Sequence, residues 1–182
     1  MKKDVLFMQG AGQGAYEEDG ELAASLQEAL GTEYEIRYPK MPETNPEYRL
    51  WQAQIEKELA AFDSQAIVVG HSFGGSLLLK YLSEQTLKKP IGGIYIIAAP
   101  YWGAEDWDYD EYALREDVAT QLPKEPHIVL YHSRDDEIVP FSHLAFYAET
   151  LPQATIREFE DRGHQFKNNL VEVAEDIKKG EQ

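Results

Sequence analysis

Short runs rich in β-branched residues alternate along this chain with longer amphipathic stretches, and nothing else in the sequence constrains the fold as much. The runs predict strands at Val5–Gln9, Tyr34–Tyr38, Ala66–Gly70, Gly93–Ala98, Ile128–His132 and Thr155–Phe159. Helices are predicted at Glu18–Leu30, Pro46–Phe62, Phe73–Glu84, Tyr112–Gln121, Ser142–Leu151 and Phe166–Lys178. In the third helix Phe73, Leu77 and Tyr81, with Leu78 and Leu82, recur at i, i+4 and form one apolar face. The segments AIVVG and IYIIAA are apolar throughout, as strands covered on both faces must be. Such alternation reads as βαβ units, hence a parallel sheet with helices on both faces. The 182 residues contain no repeat, low-complexity segment or long linker, so one α/β domain over 1–182 is expected.

The chain holds 33 acidic and 17 basic residues, a formal net charge of −16. Nucleic acid and anionic membrane surfaces are disfavoured as partners, because both require clustered Lys and Arg. The acidity itself speaks to solubility rather than to fold. With no cysteine, disulfides, thiolate metal sites and a Cys nucleophile are excluded. The apolar run after Lys2 and Lys3 is too short for a signal peptide, and no stretch approaches the ~18 apolar residues of a membrane span. A soluble, cytoplasmic protein is the expectation.

Gly70-His71-Ser72-Phe73-Gly74 is a G-x-S-x-G sequence between a predicted strand and a predicted helix, the context of a nucleophile elbow. The chain must turn sharply there, with Ser72 at the apex in an unfavourable φ/ψ, and Gly70 and Gly74 carry no side chains to clash across the turn. The turn exposes Oγ and aims the positive end of the following helix at the reacting atoms. A serine hydroxyl is a weak nucleophile until a base takes its proton, so an acid and then a His should follow in chain order. The fifth predicted strand leads into Asp135-Asp136-Glu137-Ile138-Val139-Pro140. A carboxylate there can hold an imidazole in the productive tautomer. Asp136 is preferred from its place directly before the Glu-Ile-Val-Pro turn, with Asp135 the alternative and Glu137 read as solvated. The same cluster is read as a turn plus an acid rather than a cation site, and no metal or cofactor is expected. The last predicted strand ends near Gly163-His164, which makes His164 the candidate base. Of the other histidines, His71 is expected to pack under the elbow, His127 to begin a strand, His132 to be structural or a neighbour of the site, and His143 to be exposed on a helix.

These residues carry a resemblance. The loop QGAGQG, VVGHSFGG, AAP after the fourth strand, HSRDDEIVP and RGHQF together resemble an α/β-hydrolase over nearly the whole chain. More narrowly, they are similar to the small lidless serine hydrolases grouped with retinoblastoma-binding protein nine. The resemblance implies a three-layer α/β-hydrolase fold with six parallel strands in the order 2-1-3-4-5-6 and no large cap domain. It implies Ser72 as nucleophile, Asp136 as acid and His164 as base. The partner interaction attributed to a Leu-x-Cys-x-Glu motif in that group does not transfer, since this chain has no cysteine.

Gly10-x-Gly12-x-x-Ala15 also matches the dinucleotide fingerprint, which requires an acidic residue about 20 positions on, at the end of the second strand. That strand ends IRYPK, and Glu33 and Glu35 sit at its start, so NAD is not expected. In the hydrolase reading this loop supplies the oxyanion hole: one backbone N–H from Phe73, the other from Gly10-Ala11-Gly12, with Ala11 preferred. Gly10, Tyr101 and Trp102 are candidate pocket residues. The aromatic, acidic stretch 100–118 either covers the sheet or lines a pocket as a short lid. The expected activity is carboxylesterase chemistry on small-molecule, short-acyl esters. The rival is a catalytically idle protein of the same fold acting as a protein-interaction module.

Overall fold

Every predicted strand enters one parallel sheet, in the order β2-β1-β3-β4-β5-β6. The computed structural model describes residues 2–63, 65–104, 106–122 and 127–181. The strands are β1 (Lys3–Met8), β2 (Tyr34–Arg37), β3 (Ala66–His71), β4 (Ile91–Ile97), β5 (Ile128–Ser133) and β6 (Thr155–Phe159). Between them lie α1 (Ala15–Leu30), α2 (Tyr48–Ala60), α3 (Ser72–Glu84), the single turn α4 (Val118–Gln121), α5 (Ser142–Thr150) and, after β6, α6 (Val171–Gly180).

The pleat divides the central strands between two cores. Leu6, Met8, Val68, Ile94, Ile96 and Leu130 face one layer, packed with Trp51, Ile55, Leu77 and Leu78 of α2 and α3. Val5, Phe7, Ile67, Val69, Tyr95 and Val129 face the other, against Leu22 and Leu26 of α1 and Val173 and Ile177 of α6. Continuous apolarity in β3, buried at all six positions, is what this double covering demands. The edge strand β6 keeps a mixed, half-exposed sequence.

Three expectations are corrected. The predicted helix Tyr112–Gln121 shrinks to Val118–Gln121. Upstream of it Tyr112 is drawn into an aromatic cluster on Phe73, and the Ala113 carbonyl accepts a hydrogen bond from Lys80 Nζ at 2.9 Å. These long-range contacts outweigh helix propensity. The predicted helix Phe166–Lys178 is a 3-10 turn (Phe166–Asn168) followed by α6. Phe166, Lys167 and Asn168 adopt positive φ, which ends regular helix. His143 is buried, not exposed.

Candidate functional site

The site is built where β3 stops. Ser72 has φ of 51°, a left-handed conformation costly for a residue with a Cβ. The turn closes because two glycines allow backbone to touch backbone. A Cβ on Gly70 would sit 2.6 Å from Gly75 Cα, and one on Gly74 would overlap the Gln9 carbonyl oxygen at the end of β1. The first turn of α3 is thereby pressed against the loop after β1. Gly10 in that loop comes so close that a Cβ there would lie 3.3 Å from Ser72 Cβ and 3.7 Å from its Oγ.

His164, on the loop after β6, places Nε2 at 3.0 Å from Ser72 Oγ. Its Nδ1 lies 2.9 and 3.0 Å from the two Asp136 oxygens. Asp136 thus meets the imidazole. Asp135 instead accepts the Ser133 hydroxyl and the Gly163 N–H, tying β5 to the His164 loop. Gly163 takes a φ of 62° and lies against Glu137. Glu137, expected to be merely solvated, accepts the His164 N–H at 3.1 Å.

The Asp136 side chain is fully buried. It accepts the N–H groups of Ile138 and Val139 at 2.9 and 2.8 Å and stands 3.1 Å from His132 Nε2. Burial alone raises a carboxyl, but the hydrogen bonds from His132, His164 and Val139 prevail and hold Asp136 well below the usual carboxylate range. His132 Nε2 faces two acceptors, this carboxylate and the Val139 carbonyl, so it carries the proton. His132 is thus both structural and a neighbour of the site.

On the other side of Ser72 the loop after β1 is clamped at two N–H groups. Gly10 N–H donates to Asp19 Oδ2 at 2.8 Å, and Gly12 N–H donates to the Glu43 carbonyl at 2.8 Å. The Ala11 N–H between them, like that of Phe73 at the start of α3, has no hydrogen-bond partner among the described residues. The Glu43 carboxylate also accepts from Gln9 Nε2 and the Tyr16 N–H.

Phe73 anchors the aromatic stretch: Trp51, Tyr112 and Trp102 pack edge-on against its ring at 5.0, 5.0 and 5.8 Å. Trp102 donates its indole N–H to Ser76 Oγ. Tyr101 stacks on Phe146 and bonds its hydroxyl to Thr150, while its N–H donates to His143 Nδ1 at 2.8 Å. The stretch therefore packs over α3 and α5, with Trp102 one ring removed from Ser72 through Phe73. Among the described residues no group of three or more His, Asp or Glu is placed to hold a metal ion, and no helix is long and apolar enough to cross a membrane.

Sequence reasoning missed Asp19, Gln9 and Glu43. For Asp19 a signal existed: it falls on the buried stripe of α1 with Leu22, Ala23, Leu26 and Leu30, where a charge is out of place.

Solved structures share the architecture. The ydeN gene product from B. subtilis is 17% identical, with 99% of this chain and 98% of that one covered and a TM-score of 0.72. The esterase domain of a Rhodothermus marinus protein is 18% identical over 96% and 84%, at 0.69. A SOBER1 variant from Arabidopsis thaliana is 17% identical over the whole of both chains, at 0.65. Among curated proteins none matches by sequence. The family model described as serine hydrolase matches residues 18–169. That span runs from α1 through the elbow to the loop of His164, so sequence and topology agree: the chain belongs to the serine hydrolase family and has the α/β-hydrolase fold.

Proposed function

We propose that this hydrolase is a carboxylesterase on short-acyl esters, working through Ser72, His164 and Asp136. The observation that carries the reading is the unbroken chain of hydrogen bonds from Ser72 Oγ through the His164 ring to a buried carboxylate. In the first step Ser72 Oγ attacks the ester carbonyl as His164 Nε2 takes its proton, and Asp136 stabilises the imidazolium. The Ala11 and Phe73 N–H groups hold the oxyanion. The adduct then breaks its bond to the alkoxide, which takes the proton back from His164 and leaves as the alcohol, while the acyl group stays on Ser72 Oγ. Water, deprotonated by His164, attacks the acyl carbon. The tetrahedral adduct breaks its bond to Ser72 Oγ as His164 Nε2 gives that oxygen the proton taken from water, leaving the carboxylic acid, free Ser72 and a neutral His164.

Short acyl groups are favoured because Gly10 approaches Ser72 closely and the aromatic stretch is packed down on Phe73. The test is intact mass after a fluorophosphonate, on wild type and on Ser72→Ala, followed by a p-nitrophenyl ester series of increasing acyl length. One adduct on wild type alone, with turnover falling as the chain lengthens, supports the reading. Folded wild type that takes no adduct overturns it in favour of an idle protein of this fold.

A further inference from the structure

Directly beneath the Ser72–His164 contact lies a second buried carboxylate–imidazole pair that the mechanism above does not use. Asp19 and His71 are 3% and 2% exposed. Asp19 Oδ2 accepts from His71 Nδ1 and from the Gly10 N–H, both at 2.8 Å, and Oδ1 accepts from Gln165 Nε2 at 2.8 Å. His71 Nε2 lies 3.0 Å from the carbonyl oxygen of His164, and the two rings are 4.9 Å apart. The Gly10 N–H and the Gln165 amide can only donate to Asp19, and although burial raises its carboxyl, the neighbouring His71 prevails and holds it below the usual carboxylate range. A carbonyl only accepts, so His71 Nε2 carries a proton; Nδ1, facing the carboxylate, carries the other. The neighbouring charges agree in direction. Burial alone lowers His71, but Asp19 outweighs it and the ring is held protonated above its ordinary range. The ionisable groups around it are Asp19 on α1, Asp136 on the turn after β5 and His164 on the loop after β6.

We propose that Asp19 and His71 form a charged strut that positions the active site of the proposed esterase. One carboxylate reaches three separate segments, each holding a different working part. Gly10 belongs to the loop offering the Ala11 donor. His71 immediately precedes Ser72. His164 and Gln165 carry the base. The strut makes no contact with Ser72 Oγ, so Asp19 and His71 are positioning residues. They set the distance between nucleophile, oxyanion donors and imidazole, where a displacement of ~1 Å can cost ~100-fold in rate. An ion pair serves here because the ring must donate from both nitrogens at once, which a neutral imidazole cannot do.

The experiment compares Asp19→Asn, His71→Gln and the double variant with wild type. Sites are counted by fluorophosphonate titration, kcat and KM are measured on a short p-nitrophenyl ester, and the histidine ring nitrogens are followed by 15N NMR in Ser72→Ala protein. Expected are near-complete titration, kcat per titrated site down about 10–100-fold with KM within about 3-fold, and a double variant no worse than the poorer single one. Both His71 ring nitrogens should stay protonated at neutral pH. An unchanged kcat per titrated site, even in variants that melt earlier, overturns the proposal, because a purely structural pair changes the number of sites and not their rate. A singly protonated His71 overturns it as well. Should Asp19→Asn fail to fold, His71→Gln and the ring spectra decide. If wild type takes no fluorophosphonate, the esterase reading fails instead. The spectra separate that result because they are read on a protein that needs no activity.

Discussion

Two buried aspartates in this molecule each hold a histidine by Nδ1, and the pairs differ in what lies beyond Nε2. For Asp136–His164 it is the Ser72 hydroxyl, which can donate or accept. For Asp19–His71 it is the His164 carbonyl, which can only accept. Both carboxylates also take backbone N–H groups, and both are held below their ordinary range. The supporting chemistry is alike, and the atom on the far side of the ring decides the outcome. Opposite a hydroxyl, the imidazole is free to take a proton. Opposite a carbonyl, it already holds both. His143 completes the series in reverse: its Nδ1 accepts from the Tyr101 N–H, so that nitrogen must be bare.

The largest effect expected is at the far atom of the first pair. Ser72→Ala should lower kcat by about 10⁶-fold and abolish fluorophosphonate labelling, with the melting temperature little changed because alanine keeps the Cβ that makes the turn costly. Asp136→Asn should lower kcat by about 10⁴-fold with the fold intact, since the amide forces the wrong tautomer on His164. A loss near that of Asp19→Asn, 10–100-fold, would erase the distinction between the pairs. Steady-state kinetics of the two variants side by side decides this.

His143 and His71 should also show in stability against pH. Burial, with His132 nearby, pushes His143 down to about 4 from 6.5. A depressed folded value means that the unfolded chain binds the proton first. This contribution is complete above pH 6.5 and is lost as pH falls toward 4, by about 2–3 kcal/mol. His71 runs the other way. Its folded value is raised, so its contribution is complete below 6.5 and is lost as pH rises through the folded value. Chemical denaturation from pH 4 to 7 should show the acid loss in wild type and a flatter profile in His143→Gln, whose amide oxygen can still accept the Tyr101 N–H. An equal acid loss in that variant would mean that the bare nitrogen of His143 is not its source. The smallest effect belongs to Gly10→Ala, which puts a methyl 3.3 Å from Ser72 Cβ. Turnover should fall about 3–10-fold with stability within about 1 kcal/mol, the cost of a slight shift of one working part against another.

Strands, sheet class and elbow were legible because their signals are local. β3 is apolar at successive positions, and Gly70, Ser72 and Gly74 sit within five residues. The choice between Asp135 and Asp136 was only partly legible. Adjacent carboxylates on one turn look alike in sequence; they part when Asp136 turns inward to the N–H groups of Ile138 and Val139 and Asp135 outward to Gly163. The helix expected at Tyr112 failed because Phe73 and Lys80, far away in the chain, claim its residues.

Local pattern was thus enough for the alternation of elements and the tight turn at Ser72, since each rests on neighbours within a few residues. Contacts across the chain decided which carboxylate meets which imidazole and which histidines are charged. Asp19 lies 52 positions from His71 and 146 from Gln165. A histidine's proton count depends on what faces both of its nitrogens, and here those partners come from separate segments that only the folded sheet brings together.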